Sequence, residues 1–395
     1  MNILQICSKP PYPKKDGYAI AVNHISDALI NKGNQLKVIS ISTPKHCVEE
    51  MPINYKEEKK YEDIFIDTSI NLYDAFINLF SNKSYNIDRF YTKYFAKRLK
   101  SILNNDNYDI VILEGLFVTP YVNVIRKESN AKIILRAHNI ESDIWDGLSK
   151  NKSNYFKKWY LNLLKNRLLD YELETLKKMD GIMCISDNDA KWMKKRSIIE
   201  TTNVPFTINT DKNIVLSNHL NTIFHIGSMD WRANQVGVSW FINEVLPIVI
   251  NKKSDTTLHL AGRNMPDTFI NKKTENIIIH SEVDNAKEFM NKFNLMIVPL
   301  HNGSGIRIKI LEAMALGKTI ISTKVGASGI IYEDNINILI ADNKEDFAEK
   351  IIWCLNNTHM SNQIGRKAQA NILDNYSNTR ISDKIDNYLN RILNS

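Results

Sequence analysis

Short apolar runs alternate with amphipathic segments along most of the chain. Continuous apolar runs of about four to eight residues are typical of parallel strands that are buried on both faces. We predict strands at 2–7, 35–41, 108–113, 131–135, 181–185, 221–226, 257–261, 276–280, 295–300, 319–323 and 335–341. Helical segments separate most of these runs, so the pattern predicts an α/β protein with parallel sheets.

The same order of elements occurs twice. A strand, a loop, a helix from about residue 18 to 31 and a second strand open the chain, and an equivalent order restarts near residue 221. Between them, residues 203–221 are polar, weakly patterned and contain Pro205. We therefore predict two Rossmann-like domains, at 1–205 and 206–375. The charged stretch 57–105 is predicted to be helical.

The most informative segment is LMIVPLHNGSGIRIKILEAMALGKTIISTKVG at 295–326. It predicts a strand, a loop with Gly303, Ser304 and Gly305, a helix from about 306 to 316, and a second strand. The N-terminus of such a helix presents unpaired N–H groups and the positive end of the helix dipole. Two glycines would let a diphosphate approach the backbone closely, which is the geometry of a phosphate-binding βαβ unit.

Charged side chains follow these glycines. Arg307 and Lys309 would add positive charge, and Glu312 lies on the same helix face as Lys309. One interpretation is a helix capped by Ser304, with Lys309 and Glu312 as an ordinary surface pair. The other positions of the helix are apolar almost all round, which predicts a buried helix, and charges on a buried helix need a partner or a ligand. We therefore favour the phosphate-binding interpretation.

The run GSGIRIKILEAMALGK and the run HIGSMDWRANQVGVSWF at 225–241 resemble the nucleotide-sugar half of retaining glycosyltransferases of family 4. The resemblance implies the GT-B fold, with two Rossmann-like domains facing each other across a cleft and a final helix at 376–395 packing back on the first. It implies transfer of a hexose-type sugar from a nucleoside diphosphate sugar to a sugar, lipid-linked or protein acceptor. Bacterial surface polysaccharide, glycolipid or glycoconjugate synthesis is the context that it suggests.

The resemblance also assigns roles to single residues. It implies catalytic roles for His138, Arg307 and Lys309, and it implies that Glu312 accepts hydrogen bonds from the ribose hydroxyls. The remaining donor-binding residues are Gly17, Gly227, Arg232, Gly303, Ser304, Gly305 and Ile306.

Two departures from the family pattern affect these roles. The first Glu of the family's Glu–seven residues–Glu pattern is Ser304 here, so we expect the backbone beside it to contact the sugar hydroxyls. After Gly227 the family commonly has an Arg and a Lys, whereas the nearest cation here is Arg232. We expect Arg232, Arg307 and Lys309 to hold the diphosphate.

In the first domain, His138 follows the strand predicted at 131–135. Ligands of open α/β sheets bind beyond the carboxyl ends of strands, and the family has a His-containing loop near the transferred sugar. We expect His138 to contact this sugar, although a lone histidine can also be structural. Gly17 precedes the first helix and is either a ligand contact or a simple turn residue. Tyr18 stands where the family often has a second glycine.

The segment 150–167 contains six basic residues and no acidic ones. Aromatic and leucine side chains fall on one stripe of the predicted helix: Tyr155, Phe156, Trp159, Tyr160, Leu163 and Leu164. A basic amphipathic helix of this kind can lie on an anionic membrane surface. It can also pack its stripe on its own domain, and the pattern leaves both interpretations open.

Composition narrows the remaining possibilities. The chain has 395 residues and a net charge of +7, a modest basic excess that argues against nucleic-acid binding. We see neither a membrane span nor a signal peptide, and we expect a cytoplasmic protein that touches the inner face of the membrane if 150–167 binds lipid. Four widely separated cysteines predict neither a zinc site nor a disulfide framework.

We expect no metal and no cofactor. Asp187 and Asp189 match an Asp-x-Asp metal pattern of the other large glycosyltransferase fold, but Ser186 before them predicts a helix cap. A NAD-dependent dehydrogenase would need a GxGxxG motif that the chain lacks. Two alternatives remain open: a non-hydrolysing sugar-nucleotide epimerase, which shares the architecture, and a non-catalytic sugar-nucleotide-binding protein.

Overall fold

The computed structural model describes the chain except for residues 15, 49, 70, 72–76, 80, 82, 151–154, 209–213 and 304–305, and except for the side chains of 147–150 and 155–157. The chain divides into two compact units. Unit 1 consists of Met1–Phe206 and Ile381–Ser395, and unit 2 consists of Thr207–Arg380. Each unit is an α/β layer structure with one parallel sheet.

The described part of unit 1 contains a parallel sheet of seven strands in the order β3-β2-β1-β4-β5-β6-β7. The strands are β1 Asn2–Cys7, β2 Gln35–Ser42, β3 Glu62–Phe65, β4 Ile110–Glu114, β5 Lys132–Ala137, β6 Gly181–Cys184 and β7 Thr201–Asn203. Successive side chains of a strand point to opposite faces, so both faces of the sheet carry apolar residues. Leu4 and Ile6 belong to one buried cluster, whereas Ile3 and Cys7 belong to another.

Helices cover both faces of this sheet. They are α1 Gly17–Asn31, α2 Ile53–Glu58, α3 Tyr85–Asp88, α4 Lys93–Asn105, α5 Val122–Glu128, α6 Glu141–Lys150, α7 Tyr155–Leu176, α8 Asp187–Lys194 and the C-terminal helix, with a 3-10 turn at Leu116–Tyr121. Helices α4, α5 and α8 pack on one face. Helix α1 packs on the other face together with the C-terminal helix.

The described part of unit 2 contains a parallel sheet of six strands in the order β10-β9-β8-β11-β12-β13. The strands are β8 Thr222–Ile226, β9 Thr257–Ala261, β10 Ile277–Ser281, β11 Leu295–Val298, β12 Thr319–Ser322 and β13 Leu339–Ile340. The helices are α9 Arg232–Trp240, α10 Leu246–Lys252, α11 Asp267–Ile270, α12 Ala286–Asn291, α13 Ile308–Ala315, α14 Lys344–Asn356 and α15 Thr358–Tyr376, with a π turn at Phe241–Val245. The C-terminal helix, α16 Asn378–Leu393, follows and belongs to unit 1 from Ile381 onward.

Both sheets reverse their strand order at one point. In unit 1 the chain builds outward from β1 through β2 to β3 and then returns to place β4 beside β1. In unit 2 it builds outward from β8 to β10 and returns to place β11 beside β8. Ligands of open parallel sheets bind at such reversals, beyond the carboxyl ends of the strands. The two reversals are therefore where functional side chains are expected.

The C-terminal helix α16 is held on β6 of unit 1 by Tyr388, which is fully buried. Its hydroxyl accepts a hydrogen bond from the backbone N–H of Ile182 at 2.7 Å and donates to the carbonyl of Glu200 at 2.7 Å. A side chain at Gly181 would overlap this ring, so a glycine is needed there. No helix in the described ranges is both long and apolar enough to cross a membrane.

The structure corrects several predicted elements. The stretch 57–105 is not helical throughout, because Glu62–Phe65 forms β3 at the edge of the sheet. The late strand predicted at 335–341 is reduced to Leu339–Ile340. The helix predicted from 306 begins at Ile308 instead, with Arg307 as its N-cap residue. Helix α8 begins as predicted, because the Ser186 hydroxyl caps it by accepting from the N–H of Asp189 at 3.0 Å.

Candidate functional site

The strand reversal of unit 2 brings two loops together. The loop after β8 begins at Gly227 and leads to the first residue of α9, Arg232. The loop after β11 contains Gly303 and leads to Arg307 at the start of α13. Because β8 and β11 are neighbours in the sheet, both loops leave the same edge of unit 2.

Trp231 connects the two loops. The Arg307 guanidinium lies over its indole ring, with the guanidinium carbon 4.9 Å from the ring centroid. Gly303 has a φ of 109°, and a Cβ there would lie 2.8 Å from the indole and 3.1 Å from an Arg307 nitrogen. This position therefore requires glycine, both for its backbone conformation and for the space. The Trp231 ring is still 38% exposed, so this contact lies at the surface of the unit.

Further glycines hold the surrounding backbone close together. A Cβ at Gly262, after β9, would overlap the carbonyl oxygen of Gly227. A Cβ at Gly237, in α9, would overlap the carbonyl oxygen of Pro299. The backbone segments that follow three adjacent strands are thus packed directly against each other, and this close packing makes the edge of the sheet rigid.

The two helices that begin here have no side-chain cap from the described residues. The N-cap residue of α9 is Trp231 and that of α13 is Arg307, and neither accepts a hydrogen bond from the first turn through its side chain. Uncapped N–H groups and the helix dipole favour an anionic group at these ends. Burial lowers the pKa of Arg307 to about 10, so its guanidinium keeps a positive charge at neutral pH.

Lys309 and Glu312 form an ion pair on the outer side of α13. The Lys309 Nζ lies 2.7 Å from the Glu312 Oε2, and the two side chains are 40% and 33% exposed. Most of the apolar residues are buried as predicted, namely Ile310, Leu311, Ala313, Met314 and Ala315, whereas Ile306 and Ile308 are half-buried. The two charges thus pair with each other at partly exposed positions, so they need an external partner less than charges on a fully buried helix would. The Glu312 Oε2 is nevertheless buried and, apart from this ion pair, has no hydrogen-bond partner among the described residues.

The remaining predicted donor residues differ in how they are placed. Arg232 is exposed at the first position of α9, and Ile306 is half-buried before α13. Ser304 and Gly305 lie outside the described residues. The loop backbone that was expected to replace the missing carboxylate is therefore described only at its two ends, Gly303 and Ile306.

The strand reversal of unit 1 places His138 against a buried carboxylate. The Nε2 of His138, which follows β5, lies 2.6 Å from the Oε2 of Glu114, the last residue of β4. The His138 side chain is 9% exposed and the Glu114 side chain is fully buried. Arg136 is also fully buried, and its Nε lies 3.4 Å from the same carboxylate oxygen. Three charged or titratable groups thus meet at the carboxyl ends of two adjacent strands.

These groups set each other's protonation. Burial alone would raise the pKa of Glu114, but the hydrogen bond from His138 and the charge of Arg136 outweigh burial and lower it. Burial lowers the pKa of His138, and the neighbouring carboxylate offsets this only in part. At neutral pH the pair is therefore an ionised Glu114 and a neutral His138.

Tyr18 covers His138 from α1. The two rings lie 4.7 Å apart between centroids, and the Tyr18 hydroxyl accepts a hydrogen bond from the N–H of Ser8 at 2.9 Å. The Lys9 ammonium lies 5.0 Å from the centroid of the same tyrosine ring. Tyr18 occupies the position where the family resemblance implied a second glycine, so a side chain fills the space next to the histidine.

Gly17 is the exposed first residue of α1. The N-terminus of this helix is already occupied, because the Asp16 carboxylate accepts from the N–H of Ala19 at 2.8 Å and pairs with Lys9 at 2.5 Å. A carboxylate at this place repels a phosphate. The first helix of unit 1 is therefore a poorer diphosphate site than the helices at the reversal of unit 2.

The helix predicted over 150–167 corresponds to the start of α7, and its first residues lie outside the described part. Among the described stripe residues, Leu164 is buried, Tyr160 and Leu163 are half-buried, and Trp159 is 55% exposed. Arg167 donates to the carbonyl of Asn78 at 2.8 Å. The stripe thus packs on its own unit at one end and exposes an aromatic ring at the other.

The structure brings some of the predicted residues together and leaves others apart. Gly303 and Arg307 meet in unit 2, whereas Lys309 faces Glu312 and Arg232 is exposed at the start of α9. Sequence reasoning missed Trp231 and Glu114, and it noted Tyr18 only as a departure from the family pattern. Only Glu114 left a signal, as a carboxylate that ends the apolar run IVILE.

Comparison with known proteins agrees with this architecture. Residues 221–357 match the family model described as "Glycosyl transferases group 1". An uncharacterized 44.6 kDa protein in the cps region of Klebsiella pneumoniae is 22% identical over 395 residues, covering 97% of this chain and 98% of that protein. A poly(ribitol-phosphate) alpha-N-acetylglucosaminyltransferase of Staphylococcus aureus is 22% identical over 375 residues, covering 85% and 73% of the two chains.

A solved structure shares the fold over the full length. The crystal structure of HepE from Anabaena in complex with UDP superposes with a TM-score of 0.68 at 11% identity, covering 99% of this chain and 100% of that one. The predicted fold class is confirmed: the chain has two parallel sheets of seven and six strands, and it has the GT-B fold.

Proposed function

We propose that this chain, a glycosyltransferase of GT-B type, moves a hexose-type sugar from a nucleoside diphosphate sugar to an acceptor and retains the anomeric configuration, as in glycosyltransferase family 4. One observation carries the proposal. The strand reversal of unit 2 joins two helix N-termini that no described side chain caps, a backbone packed closely at glycines, and the cation Arg307. This combination suits a diphosphate.

The proposed chemistry is electrostatic. Breaking the bond between the sugar and the diphosphate develops positive charge on the anomeric carbon and negative charge on the departing phosphate. Fixed positive groups that face the departing phosphate lower the barrier because they need no reorganisation during the reaction. We assign this role to Arg307, assisted by Lys309 and Arg232, and we propose that no metal ion takes part.

Retention follows from attack on the same face of the sugar. The acceptor oxygen bonds to the anomeric carbon while the bond to the phosphate breaks, and the departing phosphate oxygen takes the acceptor's proton. No covalent intermediate on the protein is required. His138 is proposed to contact the transferred sugar, and Glu312 to accept hydrogen bonds from the ribose hydroxyls.

Binding of the ribose by Glu312 would require a change in its ion pair with Lys309. A carboxylate that is one-third exposed can accept two hydroxyl hydrogen bonds once the lysine turns toward the diphosphate. We therefore propose that the pair separates on donor binding. The other donor contacts are proposed at Gly227 and at the backbone of Gly303, Ser304, Gly305 and Ile306, with Gly17 assigned only a turn role because of its acidic cap.

The proposed context is the synthesis of bacterial surface polysaccharide, glycolipid or glycoconjugate. The support is the cps region of the Klebsiella relative and the poly(ribitol-phosphate) substrate in the name of the Staphylococcus enzyme. The UDP held by the Anabaena protein supports a nucleotide donor. A sugar, lipid-linked or protein acceptor fits this context, as does contact of 150–167 with an anionic membrane.

The experiment has two steps. Thermal unfolding is first measured with a panel of nucleoside diphosphate sugars, because a donor that binds the folded state raises the Tm. The stabilising donor is then incubated with and without acceptors, and nucleoside diphosphate release is followed. Release that depends on an acceptor supports transfer. Epimerised donor without acceptor indicates an epimerase, and binding without turnover across the acceptor panel indicates a binding protein; either result contradicts the proposal.

A further inference from the structure

Glu114 is held on both sides of its carboxylate. Gln5 Nε2 donates to its Oε1 at 2.6 Å, and His138 Nε2 lies 2.6 Å from its Oε2. The amide of Gln5 is oriented in turn by Ser26, whose hydroxyl donates to the Gln5 Oε1 at 2.7 Å. A chain of hydrogen bonds thus runs from α1 through β1 and β4 to the histidine. Each oxygen of the carboxylate has a separate partner, so the carboxylate cannot rotate without breaking both bonds.

The charge of this carboxylate is balanced inside the unit. Glu114 and Arg136 are register partners on β4 and β5, and both side chains have no exposed surface. The three guanidinium nitrogens of Arg136 have no hydrogen-bond acceptor among the described residues. At 3.4 Å from the Glu114 Oε2, the guanidinium therefore acts on the carboxylate as a nearby positive charge. A buried carboxylate beside such a charge stays ionised.

An ionised carboxylate can only accept hydrogen bonds, so the proton in its contact with His138 belongs to the imidazole Nε2. No hydrogen bond to the His138 Nδ1 is made by the described residues. The groups that face the ring are Glu114, Arg136, Tyr18 and Lys9, from β4, β5, α1 and the loop after β1. None of the other three replaces Glu114 as an acceptor for the Nε2 proton.

We propose that Glu114 is the positioning residue of His138: it fixes the neutral imidazole with its proton on Nε2, so that Nδ1 is the nitrogen that accepts a hydrogen bond from a substrate hydroxyl. The histidine then acts toward the sugar as an acceptor and not as a donor. The contact with a sugar rests on the proposed function, whereas the tautomer is a property of the protein alone.

The direct test is an NMR measurement on the full chain labelled with ¹⁵N-histidine. Two-bond ¹H–¹⁵N correlations report the tautomer and charge of each imidazole, and the His138→Gln variant assigns the His138 signals. At pH 7 we expect a neutral His138 protonated on Nε2. In Glu114→Gln we expect a mixture of tautomers, because a carboxamide can present either its oxygen or its NH₂ group to the ring. An Nδ1-protonated or charged His138 in the wild type, or an unchanged tautomer in Glu114→Gln, overturns the proposal.

The kinetic test separates positioning from folding. Glu114→Gln is expected to lower kcat about 10- to 100-fold, in the range of residues that orient a functional histidine. KM for the donor should change little, because the proposed nucleotide contacts are residues of unit 2. Glu62→Gln is the matched control, since it removes a carboxylate from β3 that pairs with Arg98 at the surface; it should leave kcat unchanged. An equal loss in both variants, or an unchanged kcat in Glu114→Gln, contradicts the positioning role.

A second variant covers the case in which Glu114→Gln does not fold. Gln5→Met removes the hydrogen bond to the other carboxylate oxygen and keeps the charge of Glu114. We expect the same tautomer of His138 and a smaller fall in kcat than in Glu114→Gln. An unchanged kcat would contradict a role for the chain of hydrogen bonds that runs from α1 to the histidine. Failure of the proposed function looks different: a wild type that transfers no sugar leaves the NMR result standing, whereas transfer with an Nδ1-protonated His138 refutes this inference alone.

Discussion

At its strand reversal, unit 1 places a buried carboxylate and a histidine, whereas unit 2 places glycines, a tryptophan and an arginine at the corresponding point. The helices that begin beside the two reversals also differ in how their N-termini are capped. Helix α1 is capped by the Asp16 carboxylate, but α9 and α13 have no side-chain cap from the described residues. One strand order thus supports two kinds of chemistry: a titratable side chain fixed by buried charges, and a backbone surface prepared for an anion.

The two units supply polar groups to the edge of the sheet from different parts of the structure. In unit 1 the sheet itself carries polar groups, because Gln5, Glu114 and Arg136 lie on adjacent strands with no exposure. In unit 2 the proposed polar functions come from loops and helix ends, and the polar residues of the strands are neutral hydroxyls and histidines, such as the buried His225, Thr319 and Ser322. A buried polar group must be satisfied inside the protein, so the unit 1 site is a network, whereas the unit 2 site can be assembled from backbone.

The largest effect is expected from the cation of unit 2. Arg307→Ala removes the positive charge that we assign to the departing diphosphate, and losing one such group lowers kcat by about 100- to 1,000-fold. The change is checked by steady-state kinetics together with the Kd of the nucleoside diphosphate. Arg366→Ala, at an exposed position of α15 in the same unit, is the control. A kcat/KM of Arg307→Ala close to that of this control would place the diphosphate elsewhere.

Lys309→Ala should also lower kcat, but less than Arg307→Ala does, because the lysine is already paired with Glu312. Its matched control is Lys344→Ala, which breaks a similarly exposed ion pair with Glu244.

The next-largest effect is expected from a change in the backbone packing of unit 2. Gly237→Ala places a methyl group against the carbonyl of Pro299, and overpacking of this kind costs about 1–3 kcal/mol. The added methyl group should push α9 away from the end of β11, so donor affinity should fall together with the Tm. Val236→Ala, at the exposed neighbouring position of α9, is the control and should change neither. A Gly237→Ala variant with wild-type Tm and donor affinity would show that the close approach is not needed.

The pH dependence of stability compares two partly buried histidines, one in each unit. Burial, with the charge of Arg136 second, lowers the pKa of His24 in unit 1 to about 4; burial, with His280 second, does the same for His259 in unit 2. Each group is neutral when folded but protonates at about pH 6.5 when unfolded. Stability is therefore full above about pH 6.5 and is lost as the pH falls from there toward 4.

Chemical denaturation at pH 7 and pH 5 checks this. The wild type should lose about 1–2 kcal/mol between these pH values for each of the two histidines. His24→Gln and His259→Gln should each reduce that loss, whereas His359→Gln, at an exposed position, should not. A loss that is the same in all three variants would mean that other groups set the acid sensitivity.

The smallest effect concerns the exposed end of the basic helix in unit 1. If 150–167 touches anionic lipid, Trp159→Ser should weaken binding to vesicles containing an anionic phospholipid by about 1 kcal/mol, or about fivefold. Trp353→Ser removes a ring that is 39% exposed in unit 2 and is the matched control. If the wild type and both variants bind the vesicles equally, the membrane interpretation is wrong and the stripe of 150–167 only packs on its own unit.

The strands were predictable because parallel strands buried on both faces read as apolar runs, as 2–7 and 295–300 do. The edge strand β3, Glu62–Phe65, was missed because two of its four residues are acidic. Gly303 and Arg307 were predictable because they lie close together in one motif. Trp231 and Glu114 were not, because their partners Arg307 and His138 are distant in sequence and meet only through the order of the strands.

A crystal structure of the protein with a bound nucleoside diphosphate tests the comparison most directly. We predict the diphosphate on unit 2, within hydrogen-bond distance of Arg307 and of the backbone N–H groups that begin α13, with the ribose hydroxyls at Glu312. A nucleotide bound at the start of α1 in unit 1, beside Gly17, with Glu312 still paired only to Lys309, would contradict the account.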